Sequence, residues 1–211
     1  MKNLAKIARN LPRAPVIAAE RLRVWLMMAH YRQIATLGSG ARVLTDGRLF
    51  NPACGRERII VGARSVIRGE LFSAPQGGGI RLGHDCFVGH GTYIWAYDAA
   101  GITIGDRVLI SHGVNIHDSN SHSLDAELRA AHFQAIARNG HPQFVPDIST
   151  APITIESDAW ICYGSSIAKG VTVGEGAIVS RHSVVLRDVE PWTVVAGFPA
   201  AKVTNVRRST R

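Results

Sequence analysis

Histidine and acidic side chains that could transfer protons or bind a metal ion crowd into one short stretch of the chain. The stretch NIHDSNSHSLDAELRAAH covers residues 115–132 and contains three histidines and three acidic residues. An imidazole, with a pKa of about 6.5, can take up and release a proton at neutral pH. Three imidazoles can also bind zinc. The residue types alone leave a catalytic centre, a metal site and a polar loop open, so the surrounding sequence has to decide.

The composition is that of a globular chain whose charge lies at its two ends. The chain has 211 residues, of which 46% are hydrophobic and 19% charged, enough for one substantial domain. The net charge is +8, but the first 35 residues hold seven basic residues against one acid, and the last eleven hold four. The body between them is slightly acidic, so binding to nucleic acid is not expected. The cysteines, Cys54, Cys86 and Cys162, form no CxxC pair, which disfavours a disulfide framework and fits a cytoplasmic protein.

The basic N-terminal segment, residues 1–40, is expected to be helical. VIAAERLRVWLMMAHYRQIATL, at 16–37, is rich in Leu, Met and Ala but is interrupted by Glu20, Arg21, Arg23 and Arg32. Those charges disfavour a membrane span, and no short apolar region ends in a cleavage site of small residues, as a signal peptide would. We expect the helix to pack on the body or between subunits. The alternative is peripheral contact with the inner face of a membrane.

A six-residue spacing of aliphatic residues governs the chain from about residue 59 onward. The residues at this spacing are Val61 and Ile67; Leu82, Val88 and Ile94; Ile104, Ile110 and Ile116; and Ile155, Ile161, Ile167, Val173, Val179 and Val185. A period of six is neither the 3.6 of a helix nor the two of an ordinary strand. It predicts a coil with three flat sides, in which each side points one aliphatic residue inward and glycine serves the tight corners.

This segment resembles the hexapeptide-repeat acyltransferases. The tandem repeat and the closing APITIESDAWICYGSSIAKGVTVGEGAIVSRHSVVLRDVEPWTVVAGFPAAKV are most similar to galactoside, maltose and polysaccharide O-acetyltransferases. The resemblance implies a mainly β fold, a left-handed parallel β-helix with an N-terminal α-helical segment and one long inserted loop. Such proteins are usually homotrimers that use acetyl-CoA. We expect the β-helix domain at 41–205, its inserted loop at 117–152 and a basic tail at 206–211.

The resemblance also implies which residues act. In these acetyltransferases a loop at the place of the interruption carries the catalytic histidine, with an acid shortly after it, and His122 and Asp125 match. His122 is therefore the expected general base for the acceptor hydroxyl, with Asp118 or Asp125 orienting its ring. Direct transfer from CoA needs no enzyme nucleophile. The residues expected to contact the acceptor are Asn115, His117, Arg129 and Trp160.

The pantetheine arm of CoA lies, in this family, along the regular coil that follows the active site. Lys169 and Arg187 are eighteen residues apart, so a coil with eighteen residues in each turn would stack them into a basic ridge. The expected CoA contacts are Gly164, Ser165, Lys169, Arg181, Arg187 and Lys202. An ordinary solvated basic face is the alternative. This chain departs from the family at Arg181 and His182, where small residues are common.

Three other functions are compatible with such a coil. Carbonic anhydrases of the γ class share the left-handed helix and bind zinc through three histidines, and His112, His117 and His122 follow H-x4-H spacing. The long excursion favours the acyltransferases instead, and no metal is expected. An N-acetyltransferase acting on an amino or nucleotide sugar would use the same base, whereas a non-catalytic scaffold would not need His122. The favoured prediction is an acetyl-CoA-dependent O-acetyltransferase that acts on a sugar or glycan hydroxyl in polysaccharide biosynthesis.

Overall fold

Short β-strands, separated by corners, wind most of the chain into a three-sided parallel coil. The computed structural model describes residues 13–140 and 147–207. The basic residues before Arg13, the segment 141–146 and the end of the expected basic tail at 208–211 lie outside these ranges.

The strands form three sheets, one for each side of the coil. Sheet 1 contains β1 (Thr36–Leu37), β4 (Ile59–Val61), β7 (Ile80–Leu82), β10 (Ile102–Ile104), β13 (Ile153–Ile155) and β16 (Thr172–Val173). Sheet 2 contains β2 (Arg42–Val43), β5 (Val66–Ile67), β8 (Phe87–Val88), β11 (Leu109–Ile110), β14 (Trp160–Ile161), β17 (Ile178–Val179), β19 (Thr193–Gly197) and β20 (Ala200–Asn205). Sheet 3 contains β3 (Arg48–Phe50), β6 (Glu70–Ser73), β9 (Tyr93–Ala96), β12 (Asn115–His117), β15 (Ser166–Ile167) and β18 (Val184–Val185). The pairing is parallel except between β19 and β20, which form a closing hairpin.

The aliphatic residues of the six-residue spacing form columns down the inside of the coil. Ile161 pairs with Val179 and Ile167 with Val185, in each case eighteen residues later. Every residue of the predicted series from Val61 to Val185 is buried. Burying one such side chain contributes about 1.5–3 kcal/mol, so the stacked turns stabilise one another through this shared core.

The corner between sheets 1 and 2 repeats a left-handed backbone conformation on each turn. Arg64, Asp85, Arg107 and Asp158 occupy it with φ values of 60°, 57°, 55° and 63°. Their charges alternate along the coil, and Arg64 pairs with Asp85 while Arg107 pairs with Asp158 at 2.7 Å. Exposed ion pairs of this kind contribute little stability. Their alternation does keep like charges from facing each other at a corner that every turn must make.

The coil begins earlier than the part of the sequence in which the spacing is obvious. β1, β2 and β3 form a first turn, and Leu37, Val43 and Leu49 keep the spacing of six residues. A segment that includes a 3-10 turn at Arg56–Arg58 then separates this turn from the next. The start at Thr36 lies ahead of the expected domain start at residue 41.

Helix α1 (Arg13–Ile34) packs on the coil through its C-terminal end. Tyr31 is buried there, and its hydroxyl donates to the Gly47 carbonyl at 3.3 Å. Farther from the coil, Leu22, Trp25 and Leu26 are each more than half exposed. Among the residues described, no helix is long and apolar enough to cross a membrane.

A long excursion leaves the coil after β12 and returns at β13. It contains helix α2 (Ala126–Asn139), which ends at Gly140 with a φ of 75°. The outgoing and returning chains run side by side at its neck, where the Ala151 amide donates to the Asp118 carbonyl at 2.9 Å and the Asn120 amide to the Ser149 carbonyl at 3.0 Å. The neck therefore ties the excursion to sheet 3.

Candidate active site

Two histidines of the excursion form a close pair. The Nδ1 atoms of His122 and His132 lie 3.0 Å apart, and the ring centroids 4.9 Å apart. His122 lies in the loop before α2 and is exposed, whereas His132 on α2 is only 7% exposed. One Nδ1 must carry a hydrogen and the other a lone pair, because two lone pairs would repel at this distance. The pair therefore orients the His122 ring and allows two arrangements of the hydrogen, with either ring as the donor.

The carboxylate of Asp118 binds backbone amides of the coil instead of a histidine ring. It accepts hydrogen bonds from the amides of Tyr97 at 2.7 Å and Asp98 at 3.0 Å. Asp118 is fully buried, and burial raises its pKa to about 6. Its contacts hold the neck of the excursion on the neighbouring turn.

Asp125 is also occupied by backbone. It caps the N-terminus of α2, accepting from the amides of Glu127 and Leu128, both at 2.9 Å. The expectation that Asp118 or Asp125 orients His122 therefore needs correction: both carboxylates are committed to amides, and the ring partner of His122 is His132.

Arg129 has a positioning role for the loop itself. Its Nη1 donates to the carbonyls of Ser123 at 2.9 Å and Leu124 at 3.1 Å. Ser123 is buried and its hydroxyl donates to Asp147 Oδ2 at 2.5 Å, across the excursion. These contacts hold the chain on the C-terminal side of His122, so Nη1 of Arg129 serves the loop itself.

A cavity of about 370 Å³ lies on sheet 3 at the foot of the excursion. Its lining includes Asn115, His117, Asn120 and Lys169. Asn120 also ties the cavity to the histidine pair, since its carbonyl accepts from the His122 amide at 2.7 Å. The structure thus brings two residues expected to contact the acceptor, Asn115 and His117, together with one expected to contact CoA, Lys169.

His117 presents a neutral ring to this cavity. The ring stacks on Trp95 with centroids 4.8 Å apart, and Ser121 Oγ lies 3.4 Å from its Nδ1. Burial lowers the pKa of His117, because the charged form would lose its hydration. His117 is therefore suited to hydrogen bonding with an acceptor.

Lys169 and Arg187 occupy equivalent positions on neighbouring turns, since Ile167 pairs with Val185. Lys169 Nζ donates to Ser149 Oγ at 3.1 Å, at the neck of the excursion. Arg187 lines a separate cavity of about 240 Å³ with Lys202. The Lys202 ammonium pairs with Glu190 at 2.7 Å and lowers the pKa of that carboxyl. The ridge therefore contains acidic as well as basic groups.

The corner between sheets 2 and 3 explains the unusual His182. Gly164 and His182 both have left-handed backbones there, with φ values of 68° and 55°. The His182 ring lies over the Cα of Gly164, where a Cβ would come within 2.4 Å of its Nδ1, and edge-on to Tyr163 at 4.8 Å. Gly164 is thus covered by His182. Arg181 is exposed beside it.

Ser165 and Trp160 lie apart from the cavity. Ser165 is fully buried and its hydroxyl donates to the Ser180 carbonyl at 2.9 Å, so the expected CoA contact of this residue would have to come from its main chain. Trp160 is 42% exposed on sheet 2, and its Nε1 donates to Ser111 Oγ at 3.3 Å. Because His117 faces outward on sheet 3, the two side chains do not meet within one chain.

Thiol and metal chemistry find little support in the part of the chain that is described. Burial raises the pKa of Cys86 and of Cys162, which disfavours the reactive thiolate. Within 13–140 and 147–207, no group of three His, Cys, Asp or Glu residues is placed to hold a metal ion. His112 lies at the corner between sheets 2 and 3 and packs against Phe87.

Comparison with known proteins supports the repeat directly. Residues 79–117 match the family model described as the hexapeptide repeat of succinyl-transferase. This segment therefore carries a recognised hexapeptide repeat. The chain is 25% identical to a hexapeptide-repeat-containing acetyltransferase of Vibrio cholerae, with a TM-score of 0.56 over 90% of this chain and 89% of that one. The predicted family resemblance and the predicted fold class, a left-handed parallel β-helix with an N-terminal helix and one long inserted loop, are confirmed.

Sequence relatives cover part of the molecule. Galactoside O-acetyltransferase of Escherichia coli is 31% identical over 105 residues, which make up 50% of this chain and 44% of that protein. The chain spans about half the length of the curated relatives it matches. An N-acyltransferase of Bacillus cereus, solved with dTDP and 3-hydroxybutyryl-CoA, shares the fold at a TM-score of 0.67 with 17% identity, over 87% of this chain and 89% of that one.

Sequence reasoning did not assign a role to His132. The residue was visible at the end of the histidine-rich stretch, ten positions after His122. Its partnership depends on α2 folding back over the loop, which no periodic signal indicates. Trp95, which stacks on His117, was missed as well, although it lies one strand below it in register.

Proposed function

We propose that this protein is an acetyl-CoA-dependent O-acetyltransferase that acts on a sugar or glycan hydroxyl, with His122 as general base. The observation that carries the proposal is the placement of the exposed His122 on the excursion of a hexapeptide-repeat coil. Its Nδ1 is engaged by His132, and its amide is bonded to Asn120, a residue of the cavity. The relation to galactoside O-acetyltransferase supports acetyl transfer to a hydroxyl.

The reaction uses one of the two tautomeric arrangements that the pair permits. If His122 carries its hydrogen on Nδ1 and donates it to His132 Nδ1, the lone pair of His122 Nε2 is available for the acceptor. As the acceptor oxygen attacks the thioester carbonyl, Nε2 takes the hydroxyl proton; the C–O bond forms and the C–S bond breaks. The proton then passes to the departing thiolate of CoA, so no acyl-enzyme is needed.

His132 stabilises the charge that develops on His122. When Nε2 has accepted the proton, the ring is an imidazolium, and the hydrogen bond to the neutral His132 becomes charge-assisted. The buried position of His132 keeps this acceptor in place. His132 thereby takes the orienting role that the sequence suggested for an acid.

CoA is proposed to lie along the outer face of sheet 3 and its flanking corner. Lys169 and Arg187 would meet its phosphates, and Arg181 and Lys202 would extend the contact, with Gly164 beneath the His182 ring. The similarity to a protein solved with acetyl coenzyme A, 24% identical with a TM-score of 0.55, is consistent with a donor site on this fold.

A thiol-release screen tests the proposal. The full chain would be incubated with acetyl-CoA and monosaccharides, oligosaccharides, nucleotide sugars and amino acids, with reactions lacking acceptor as controls. We expect release of CoA thiol that depends on a sugar acceptor and yields an alkali-labile acetyl ester. Thiol release that is equally fast without an acceptor contradicts the proposal, and so does the absence of thiol release with every sugar tested. An alkali-stable product would identify the second candidate, an N-acetyltransferase. The Bacillus cereus N-acyltransferase, which shares the fold, motivates this candidate.

A homotrimer is the proposed assembly, and the outward face of sheet 2 supports self-association. From β5 to β19 its outward positions form an apolar stripe: Val66, Phe87, Leu109, Trp160, Ile178 and Val194. Trp160 would then meet an acceptor only from a neighbouring copy. Light scattering of Leu109→Glu should show a smaller particle, whereas Thr103→Glu on sheet 1 should not; an unchanged particle for Leu109→Glu contradicts this assignment.

Peripheral membrane contact in the cytoplasm is a further part of the proposal. The exposed Leu22, Trp25 and Leu26 of α1 lie among Arg21 and Arg23, a combination that suits an anionic lipid surface. Sedimentation with vesicles of anionic phospholipid should fall for Trp25→Ser relative to the unaltered protein. Equal sedimentation of both would remove the membrane role.

A further inference from the structure

The outward positions of sheet 3 carry a continuous aromatic row. Phe50, Phe72, Trp95 and His117 lie opposite one another on β3, β6, β9 and β12. Their rings touch in sequence, with centroid distances of 5.3, 5.5 and 4.8 Å. We call these four residues the aromatic row. Its last member, His117, lines the cavity of the candidate active site.

Polar atoms accompany the rings along the row. Trp95 Nε1 donates to Glu70 Oε1 at 3.0 Å, and Tyr93 lies edge-on to Trp95 at 5.8 Å. On the other side, Tyr97 lies edge-on to Phe72 at 5.5 Å. The phenol and carboxylate groups therefore border a row of rings, in which Phe50 stacks on Phe72 and Trp95 on His117.

The row is open to solvent at several points. Phe50 is 48% exposed and Tyr93 is 42% exposed, while Phe72 is buried beneath its neighbours. Trp95 and Tyr97 are partly exposed. Aromatic side chains in such numbers are costly to leave in water unless they meet a partner.

The size of the row indicates an extended partner. Adjacent strands lie about 4.8 Å apart, so the four positions span about 14 Å, more than one sugar ring covers. Sugar rings carry C–H groups that pack against aromatic side chains and hydroxyls that bond to carboxylates and phenols. The exposed parts of the row and its border offer this mixture of apolar and directed polar contacts.

The contrast with sheet 2 argues against a second protein copy on this face. The apolar stripe of sheet 2 is mainly aliphatic, as a subunit contact requires. On sheet 3, covering the row with a protein surface would bury the Glu70 carboxylate, which is costly unless it gains a new partner. A hydrated glycan leaves that carboxylate in contact with hydroxyls and water.

We propose that the aromatic row is a binding site for the chain of an oligosaccharide or polysaccharide acceptor, and that it leads one sugar residue of this chain to the cavity at His117. This inference rests on the proposed function for the identity of the reaction, although the binding it describes needs no acetyl-CoA. It places the enzyme after the reactions that polymerise sugars, because a free monosaccharide would leave most of the row empty.

Calorimetric binding to the full chain tests the row without acetyl-CoA. The probes are glucose, maltose, maltotriose and maltohexaose, and the matching series built from N-acetylglucosamine. We expect affinity to rise with chain length in one series. Phe50→Ala and Trp95→Ala should each weaken binding of the longest member about two- to tenfold. The matched control Trp25→Ala, which removes an exposed ring from α1, should leave it unchanged.

The outcomes separate the row from the reaction. Binding of the oligosaccharides by the unaltered protein, with no acetyl transfer to them when acetyl-CoA is added, counts against the proposed function alone. Three results would contradict the proposed binding site. They are no binding in either series, an affinity that does not depend on chain length, and binding by Phe50→Ala that equals that of the unaltered protein. A smaller particle for Phe50→Ala in light scattering would assign the face to a subunit contact and overturn it as well.

Discussion

The coil and the excursion differ in how many neighbours hold each important side chain. In the coil, Ile161 has Ile110 on one adjacent turn and Val179 on the other, and it is fully buried. In the excursion, the His122 ring is exposed and its position depends on one nitrogen pair with His132. Stability is therefore concentrated in the coil, and we propose that the chemistry takes place in the excursion, so substitutions should affect one without the other.

The largest expected effect separates chemistry from folding. His122→Ala should lower acetyl transfer by about 10²–10⁴-fold, because it removes the proposed general base. Since His122 is exposed, the free energy of unfolding should fall only by the contribution of its hydrogen bond to His132, about 1 kcal/mol. Thiol release and urea unfolding measure the two quantities. Full activity of the variant would remove His122 from the mechanism.

The converse experiment is made in the coil. Ile161→Ala should lower the free energy of unfolding by about 2–5 kcal/mol, because it leaves a cavity in a fully buried column. Turnover per folded molecule should stay close to that of the unaltered protein. The control Thr103→Ala, on the outer face of β10, should change stability by less than about 0.5 kcal/mol. A coil that tolerates Ile161→Ala as well would show that the columns do not stabilise it.

Asp118 connects the coil with the excursion, and its contribution to the free energy of unfolding should depend on pH. The folded protein keeps this carboxyl protonated up to about pH 6, whereas the unfolded chain releases the proton near 3.8. The folded state binds more protons in this window, so stability falls as pH rises through it and is level above about 6. The slope is about 1.4 kcal/mol for each pH unit.

Comparison with Asp118→Asn isolates this slope. The amide does not titrate, so the difference in unfolding free energy between the two proteins should change between pH values of about 4 and about 6 and then stay constant. Urea unfolding at a series of pH values gives this difference. A difference that is constant throughout would show that Asp118 is ionised over the whole range.

A smaller effect tests the link between His132 and His122. His132→Leu should lower kcat about ten- to a hundredfold, because the charge-assisted hydrogen bond is lost in the transition state. His132→Asn should recover part of the loss, since its Oδ1 can accept from His122 Nδ1. Thermal unfolding checks that both variants fold. If His132→Leu and His132→Asn have the same kcat, His132 contributes packing and no hydrogen bond to the reaction.

The repeat made most of the coil predictable, and its limits have physical causes. A column needs an aliphatic residue at each sixth position, so the series from Ile155 to Val185 could be placed on its strands from sequence. The first turn was missed although Leu37, Val43 and Leu49 keep the spacing, because the segment that follows breaks the register before a second turn confirms it.

The excursion has no such internal check. Its position and its histidines were visible, and the resemblance to acetyltransferases singled out His122. The partners of His122 could not be predicted. Asp125 lies near His122 in sequence, but because it directly precedes a helix, its carboxylate binds the free amides of the first turn. Asp118 likewise is held by amides of the turn below.

The sequence by itself determined the coil, its inward columns and the place where the chain leaves it, because each of these follows from local spacing repeated many times. Only the tertiary structure decided which residues meet across that spacing. Packing of α2 over its own loop sets His132 against His122, and stacking of successive turns joins Phe50, Phe72, Trp95 and His117 into one surface. Contacts between residues far apart in sequence depend on how the elements fold together, which a one-dimensional pattern does not specify.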